Sequence, residues 1–344
     1  MIPHRGHCAS ARTLVELPEA VVSVAVEGDR WLVVGEQQLH WYRMQAGRLQ
    51  DNGTWTIPAG LTALRGDWYD VTGDGQPEAL ITARRERLLS SFILTQDGAG
   101  TWRPLATGLG WYLRVLPATP HTAAALLGQQ QNDYRPFAGP VLRLHWRDRG
   151  LHADGVWPLP RGTAIYHFIP LNHDAVWVAA TNGPTRQWRR DERGRWTLHG
   201  RLAARLRGIS GVALPAPARE FGGGSTPAVV ALPLLPLLDG AVAYVPVQRM
   251  VLNGVVGRAV TTSGWELMRT SIGPESEAAP PTVHYSGHGQ LQQLVPTAGG
   301  LAAVIQFGRE EWLSTDAVRS AIILVRSIRH PAPSEGSRAQ HTAR

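Results

Sequence analysis

The sequence predicts an all-β protein in which one sheet unit recurs around a ring, and three observations carry that expectation. Four segments close on mutually similar strands: Gly53-Thr-Trp-Thr-Ile-Pro58, Thr101-Trp-Arg-Pro-Leu105, Gly155-Val-Trp-Pro-Leu-Pro160 and Arg195-Trp-Thr-Leu198. No stretch sustains the 3.6-residue apolar period of an amphipathic helix; short runs instead alternate or are wholly apolar, as strands packed on both faces are. The last repeat lacks a Trp-bearing closing strand, while the chain opens with Ala11-Arg-Thr-Leu-Val-Glu-Leu-Pro18, a strand with nothing before it.

Each repeat reads as four strands, since fixed-period self-similarity marks a stacked architecture. The first, Val21 to Pro58, holds Val21–Val26, the turn Glu27-Gly-Asp29, Trp31–Val34, Leu39–Arg43 and the Trp55 strand. The second, Leu61 to Leu105, contains an acidic loop, then Arg87–Leu94 and the Trp102 strand. The third, Gly110 to Pro160, offers Tyr112–Leu116, Ala123–Leu127, Val141–Trp146 and the Trp157 strand. The fourth, Thr163 to Leu202, has Tyr166–Ile169, the turn Asn172-His-Asp174, Ala175–Ala180 and the Trp196 strand. A fifth, from Gly208 to about Ile272, includes Val229–Leu232, Gly257–Thr261 and Trp265–Arg269. A sixth, Thr282 to Ile328, includes Leu291–Val295, Ala302–Phe307 and Ser320–Arg326. Six units are expected, with seven open if the long fifth segment hides two. The expected organisation is an N-terminal extension at 1–10, one domain at 11–329 and a disordered tail at 330–344.

The stretch Trp68-Tyr-Asp-Val-Thr-Gly-Asp-Gly-Gln-Pro-Glu-Ala-Leu-Ile-Thr82 is a strand, a nine-residue acidic loop and a second strand. Asp70, Asp74 and Glu78 fall at loop positions 1, 5 and 9. Oxygens at alternating positions of a tight turn converge on one point, which suits a hard cation. An EF-hand is excluded, because position 12 is Ile81 and no helix pattern flanks the loop. The plainer reading is an Asx-type turn satisfied by its own amides.

The loop resembles the Asp-x-Asx-Gly-Asp-Gly-x-x-Asp/Glu loop of FG-GAP and VCBS repeats, the blades of integrin-type β-propellers. That resemblance implies a β-propeller and one Ca²⁺ held by Asp70, Thr72, Asp74, Glu78 and the carbonyl of Gln76. Thr72 stands where the family has Asp or Asn, so one ligand is uncharged and the implied site is weak, on the order of 10⁻⁴–10⁻³ M. Gly110-Trp-Tyr-Leu-Arg114, Leu127-Gly-Gln129, Pro136–Trp146 and Leu159-Pro-Arg-Gly162 are similar to one subgroup of bacterial VCBS-repeat proteins, which implies export to the periplasm or the cell exterior. The other repeat loops keep only fragments of the motif, as a divergent member does. A propeller needs its first and last blades joined, because closure removes exposed sheet edges. Residues 11–18 are therefore expected to complete the last blade.

Composition narrows the partners. The 344 residues are 43% apolar with 37 Gly and 25 Pro, enough for a large core with many turns. The net charge is +7 and all 34 basic residues are Arg. The basic runs Arg84–Arg87 and Arg186–Arg195 are interrupted by acids and sit where hairpin turns belong, so no nucleic-acid partner is expected. The single Cys8 excludes an intramolecular disulfide, and no signal-peptide apolar region is visible near Met1. An export signal upstream of Met1, or a chain that is a piece of a longer one, is the expectation that follows. Ala228–Val247 is broken by Pro233, Pro236, Asp239 and Pro246, against a membrane span.

Catalytic signatures are missing. There is no Gly-x-Ser-x-Gly elbow, and Glu220-Phe-Gly-Gly-Gly-Ser225 lacks the Lys-Ser/Thr of a phosphate loop. His284 and His288 are the one histidine pair at ligand spacing, in a stretch read as a Gly-containing loop. The recurrent Trp residues are expected to pack between blades rather than to stack on sugars. Two function classes follow: a non-enzymatic scaffold, monomeric or part of a larger assembly, that binds a protein or glycan, and a propeller-type hydrolase or lyase with an axial site. A cluster of ionisable groups from different blades at the axis favours the second.

Overall fold

The computed structural model describes residues 11–325 apart from 99, 119–122, 133–134, 181–182, 202–236, 240–241, 256–257, 272–281, 289 and 308–318. The expectations for residues 1–10, Val229–Leu232, Glu220–Ser225 and the tail from 330 lie outside the described residues. Within them the chain forms strands only, in six sheets arranged as a six-bladed β-propeller.

Blade 1 is β2 (Val21–Glu27), β3 (Arg30–Gly35), β4 (Gln38–Gln45) and β5 (Arg48–Thr56). Blade 2 is β6 (Leu61–Tyr69), β7 (Glu78–Arg85), β9 (Ser91–Gln96) and β10 (Trp102–Leu109), with the two-residue β8 (Leu88–Leu89) on β7. Blade 3 is β11 (Tyr112–Leu116), β12 (Ala125–Asn132), β13 (Arg135–Arg147) and β14 (Gly150–Val156). Blade 4 is β15 (Phe168–Asn172), β16 (Ala175–Ala180), β17 (Gly183–Arg190) and β18 (Trp196–Arg201). Blade 5 is β19 (Leu237–Asp239), β20 (Val242–Val255), β21 (Arg258–Ser271) and β22 (Thr282–His288). Blade 6 takes β23 (Gln290–Thr297), β24 (Gly300–Phe307) and β25 (Arg319–Val325) from the C-terminal side and β1 (Ala11–Leu17) from the N-terminal side.

The expected closure is present. β1 runs antiparallel to β25, with Ala11 opposite Val325 and Leu17 opposite Ser320, and a bulge between Thr13 and Val15. The Arg12 guanidinium donates to the Gly47 carbonyl, which fastens this outer strand to blade 1. Behind it Leu17, Val21, Val24, Trp31, Val295, Val304 and Ile322 form one buried cluster shared by the first and last blades.

Polar side chains stitch neighbouring blades together. Ser320 Oγ accepts from the Val21 amide at 2.9 Å, Ser23 Oγ from Gly66 at 2.8 Å and Thr82 Oγ1 from Leu113 at 2.9 Å. Gln293 pairs with both backbone groups of Val24, at 2.7 and 2.9 Å. Backbone groups that face a neighbouring sheet rather than a ladder partner thereby stay satisfied.

Two sequence-based boundaries are corrected, along with the placement of a histidine pair and of the recurrent tryptophans. Thr282–His288 is the outer strand of blade 5, not the start of blade 6, because β21 pairs with it from Gly264–His288 to Arg269–Thr282. His284 and His288 therefore lie on a strand rather than in a loop. The outer strand of blade 3 is Gly150–Val156, and Trp157 follows it. The four tryptophans also differ in height: Trp55 and Trp157 lie at the far ends of their strands, Trp102 and Trp196 at the starts. Trp55 lies 5.3 Å from Phe92, and Trp102 stacks on Trp41 at 4.0 Å, so both sit between blades 1 and 2.

Gly66 marks how tightly those blades pack. A Cβ there would lie 2.7 Å from a Val34 methyl and 2.9 Å from a Leu32 methyl. Gly66→Ala is expected to cost about 1–3 kcal/mol by overpacking. Gly110→Ala, which meets nothing within 4 Å, is expected to be near neutral; urea unfolding of both variants checks the pair.

Candidate functional site

The acidic loop joins β6 to β7 and is folded on its own carboxylates. Asp70 Oδ1 accepts from the amides of Gly73 at 2.7 Å and Asp74 at 3.1 Å, and Asp70 Oδ2 from Gly75 at 2.8 Å. Gly73 and Gly75 have φ of 79° and 83°, a conformation that strains other residues. Asp74 Oδ1 accepts from the Gln76 amide at 2.8 Å. Glu78, 1% exposed, accepts from the Val71 amide at 2.7 Å and the Thr72 hydroxyl at 3.3 Å. The Gln76 side chain turns away to Arg30 of the blade 1 hairpin, at 3.0 Å.

The structure thus brings Asp70, Thr72, Asp74 and Glu78 into one turn. Among the described residues no three carboxylate, histidine or cysteine side chains are grouped as a ready cation cage. The donor chemistry still fits a hard cation. Each carboxylate oxygen has two acceptor positions; Asp70 Oδ1 has both taken, while Asp70 Oδ2 and Asp74 Oδ1 are each shown with one. Burial raises the Glu78 pKa and the charge of Asp74 adds to it; burial likewise raises Glu27 across the interface, eased by Arg30 and increased by Asp70. The loop is a negative region with one nearby cation.

A second constellation, which sequence reasoning missed, lies where blades 2, 3 and 4 meet near the axis. The inner strands of blades 2 and 3, β6 and β11, touch there. Arg65 and Asp67 project from the same face of β6 and form a bidentate pair, with Nε–Oδ2 at 2.8 Å and Nη2–Oδ1 at 2.9 Å. The Arg65 guanidinium lies over the Tyr166 ring at 5.5 Å. Arg114, on β11, donates to the Ile165 carbonyl at 2.6 Å and lies over the Phe168 ring at 4.5 Å. Two cations from two blades therefore clasp the segment 165–168 that enters blade 4.

That segment is itself held from three sides. The Tyr166 hydroxyl is 2.8 Å from Thr82 Oγ1 and 2.9 Å from the Leu113 carbonyl. Gln129 accepts from the Ile165 amide at 2.8 Å and donates to Gly139 and Thr163 at 3.0 and 3.2 Å. Phe137 packs on Tyr112, Tyr166 and His167.

Electrostatics at this junction are asymmetric. Burial disfavours the Arg65 cation, but Asp67 outweighs it and holds Arg65 above its ordinary value. Arg114 has no such partner: burial, then the charge of Arg65, pull it down to about 9. Burial pushes Tyr166 up and Tyr112 up to about 12, the latter opposed by Arg84. Arg84 Nε is buried and has no hydrogen-bond partner among the described residues. The sequence signal was present as charge inside apolar inner strands, Leu-Arg-Gly-Asp-Trp and Leu-Arg-Val, together with the quoted Gly110–Arg114 and Leu127–Gln129 stretches that converge here.

Other polar groupings are engaged in the frame. Glu19, in the connection that closes the ring, binds His40 Nε2 at 2.7 Å and accepts from the amides of Glu36 and Gln37 at 2.9 and 3.3 Å. A shallow open depression lies off the axis, on the blade 4 hairpins, lined by Asn172, His173, Asp174, Arg189 and Arg190. Leu88, Val156, Leu198 and Val283, the large apolar side chains exposed among the described residues, fall on four different blades. His284 is buried against Tyr244, and burial lowers its pKa, aided by Arg269.

No protein-family model matches this chain, and neither does any curated protein. Solved structures do show likeness. A protein from Lactobacillus plantarum is 11% identical with a TM-score of 0.43, over 83% of this chain and 77% of that one. A functionally unknown protein from Desulfotomaculum acetoxidans is 13% identical with a TM-score of 0.37, over 78% and 90%. The extracellular domain of a hybrid two-component system from B. thetaiotaomicron is 11% identical with a TM-score of 0.44, over 95% of this chain and 44% of that one. Among the described residues no helix is long and apolar enough to cross a membrane.

Proposed function

We propose that this chain is a non-enzymatic binding propeller of the FG-GAP/VCBS type, whose loops recognise a protein or glycan partner in the periplasm or outside the cell. One observation carries the reading: the buried or half-buried carboxylates Glu19, Asp67, Asp70 and Glu78 are each engaged with a basic side chain or with backbone. Arg65 is committed to Asp67, Glu19 to His40, and Asp70 to three amides. The hydroxyls of Ser23, Thr82 and Ser91 are engaged with main-chain groups. Among the described residues no base stands beside a nucleophile in the arrangement that covalent catalysis needs.

The second reading, a hydrolase or lyase with an axial site, has one observation in its favour, the charged cluster that blades 2 and 3 bring together. Incubation of the intact chain with glycan and protein ligands separates the two. Saturable binding with the ligand recovered unchanged is expected. Chain cleavage that Asp67→Asn abolishes would overturn the binding reading.

The same family reading gives the 70–78 loop one weak Ca²⁺ site, held by Asp70, Thr72, Asp74, Glu78 and the Gln76 carbonyl. The oxygen-only donor set and the excess negative charge support it. A bound Ca²⁺ would supply charge neutralisation and a cross-link between the two ends of the loop. Because the folded Glu78 pKa lies above its ordinary 4.5, the metal-free loop favours the proton, and this contribution to stability is lost as pH rises through the folded value. Calcium needs the ionised form and acts in the opposite sense. Millimolar Ca²⁺ is therefore expected to raise Tm at pH 7.5, to lose that effect at a pH above the free-carboxylate range, and to do nothing to Asp70→Asn. An equal shift in Asp70→Asn would contradict the site.

A further inference from the structure

We propose that the junction of blades 2, 3 and 4 is a binding site for an oxyanion, the carboxylate, sulfate or phosphate group of the partner, held between Arg114 and Arg65. The proposal deepens the binding reading above and rests on it for the identity of the larger ligand.

Charge balance is the first argument. Arg65, Arg114 and Asp67 converge on one short segment, and Asp67 is already bidentate on Arg65. Asp67 acts on both guanidiniums, so among the described residues the cluster keeps one positive charge in excess. A cation withdrawn from water costs several kcal/mol unless a counter-charge reaches it. The depressed Arg114 is the mark of that cost.

Unused donors are the second. A guanidinium carries five N–H groups in a planar fork suited to two oxygens of one anion. Among the described residues Arg114 makes one hydrogen bond, to Ile165, and Phe168 lies against its guanidinium, which leaves donors for a ligand. Both Arg65 and Arg114 are half-buried rather than sealed. At the same blade 2–3 interface the buried Arg84 Nε also lacks a partner, beside Tyr112.

The approach is cationic as well. Arg85 and Arg87 flank the exposed Glu86 at the β7–β8 turn, and with the exposed Arg161 in the blade 3–4 connection they leave a net positive rim. They lie at the ends of their blades opposite the 70–78 loop, and Gln131 ties the Arg87 carbonyl to blade 3 at 2.9 Å. A basic rim over a recessed guanidinium steers and then orients an acidic group.

The test titrates the intact chain with sodium sulfate, sodium phosphate and sodium glucuronate, each at constant ionic strength against sodium chloride. Tm and calorimetry are the readouts. Saturable stabilisation by at least one oxyanion is expected, and whichever probe binds tightest names the source. Arg114→Gln is expected to weaken that probe at least tenfold, while Arg193→Gln on the exposed blade 4 turn leaves it unchanged. Asp67→Asn, which removes the competing carboxylate, is expected to tighten the probe several-fold, and keeps the proposal testable if Arg114→Gln does not fold. Absence of saturation in the wild-type chain overturns the site, as does unchanged affinity in Arg114→Gln or weaker affinity in Asp67→Asn. If the probes fail while the chain still captures a macromolecular ligand, the site falls and the binding reading stands. If the probes bind and no such ligand is captured, the reverse holds.

Discussion

Everything in this molecule depends on the pairing of its first strand with its last. Without β1, the outer face of β25 presents unpaired N–H and C=O groups, and blade 6 has three strands instead of four. With β1 in place, the ring has no break between its last and first blades. The shared cluster of Leu17, Val21, Val24, Val295 and Ile322 then spans the two ends of the chain. A contact of this sequence separation costs chain entropy to close, which the buried apolar area must outweigh.

The seams between neighbouring blades repeat a single device. A short polar side chain on one blade accepts the amide of the next: Ser320 to Val21, Ser23 to Gly66, Thr82 to Leu113, Gln129 to Ile165. At the junction of blades 2 to 4 the device grows into a network, because Tyr166 reaches back to Thr82 and Arg114 reaches forward to Ile165. The same hydrogen bonds that fix the blades also fix the two guanidiniums. A site built on inner strands inherits the rigidity of the frame, whereas the hairpin loops on the rim are free to vary.

Much of the fold was legible because it is local. The wholly apolar runs Leu32–Val34 and Ala302–Ile305, the turn residues and the orphan strand at Ala11–Leu17 each speak through a few neighbouring residues. The acidic turn was legible for the same reason, since Asp70 and the two glycines lie within five positions of one another. What failed was longer range. The 14-residue strands β20 and β21 form one hairpin from Val242–Ser271 to Val255–Arg258, so the spacing that divides earlier blades gave no cue to the blade 5–6 boundary. Trp157 resembles Trp102 in sequence yet occupies the opposite end of its strand, because the motif records an aromatic in an outer strand and not its height. Arg65 and Arg114 are 49 positions apart, and their convergence on Tyr166 and Phe168 exists only after three blades have packed.

The account stands most directly on strand β1 lying against β25, where Glu16 faces Ala321. In a Cys8→Ser background, Glu16→Cys with Ala321→Cys should form an intramolecular disulfide under mild oxidation. Cleavage of the backbone in the middle of the chain should then leave the two halves joined until reductant is added. Two thiols that stay free under oxidant in the folded protein would contradict the closed ring, and with it the junction built on its inner edge.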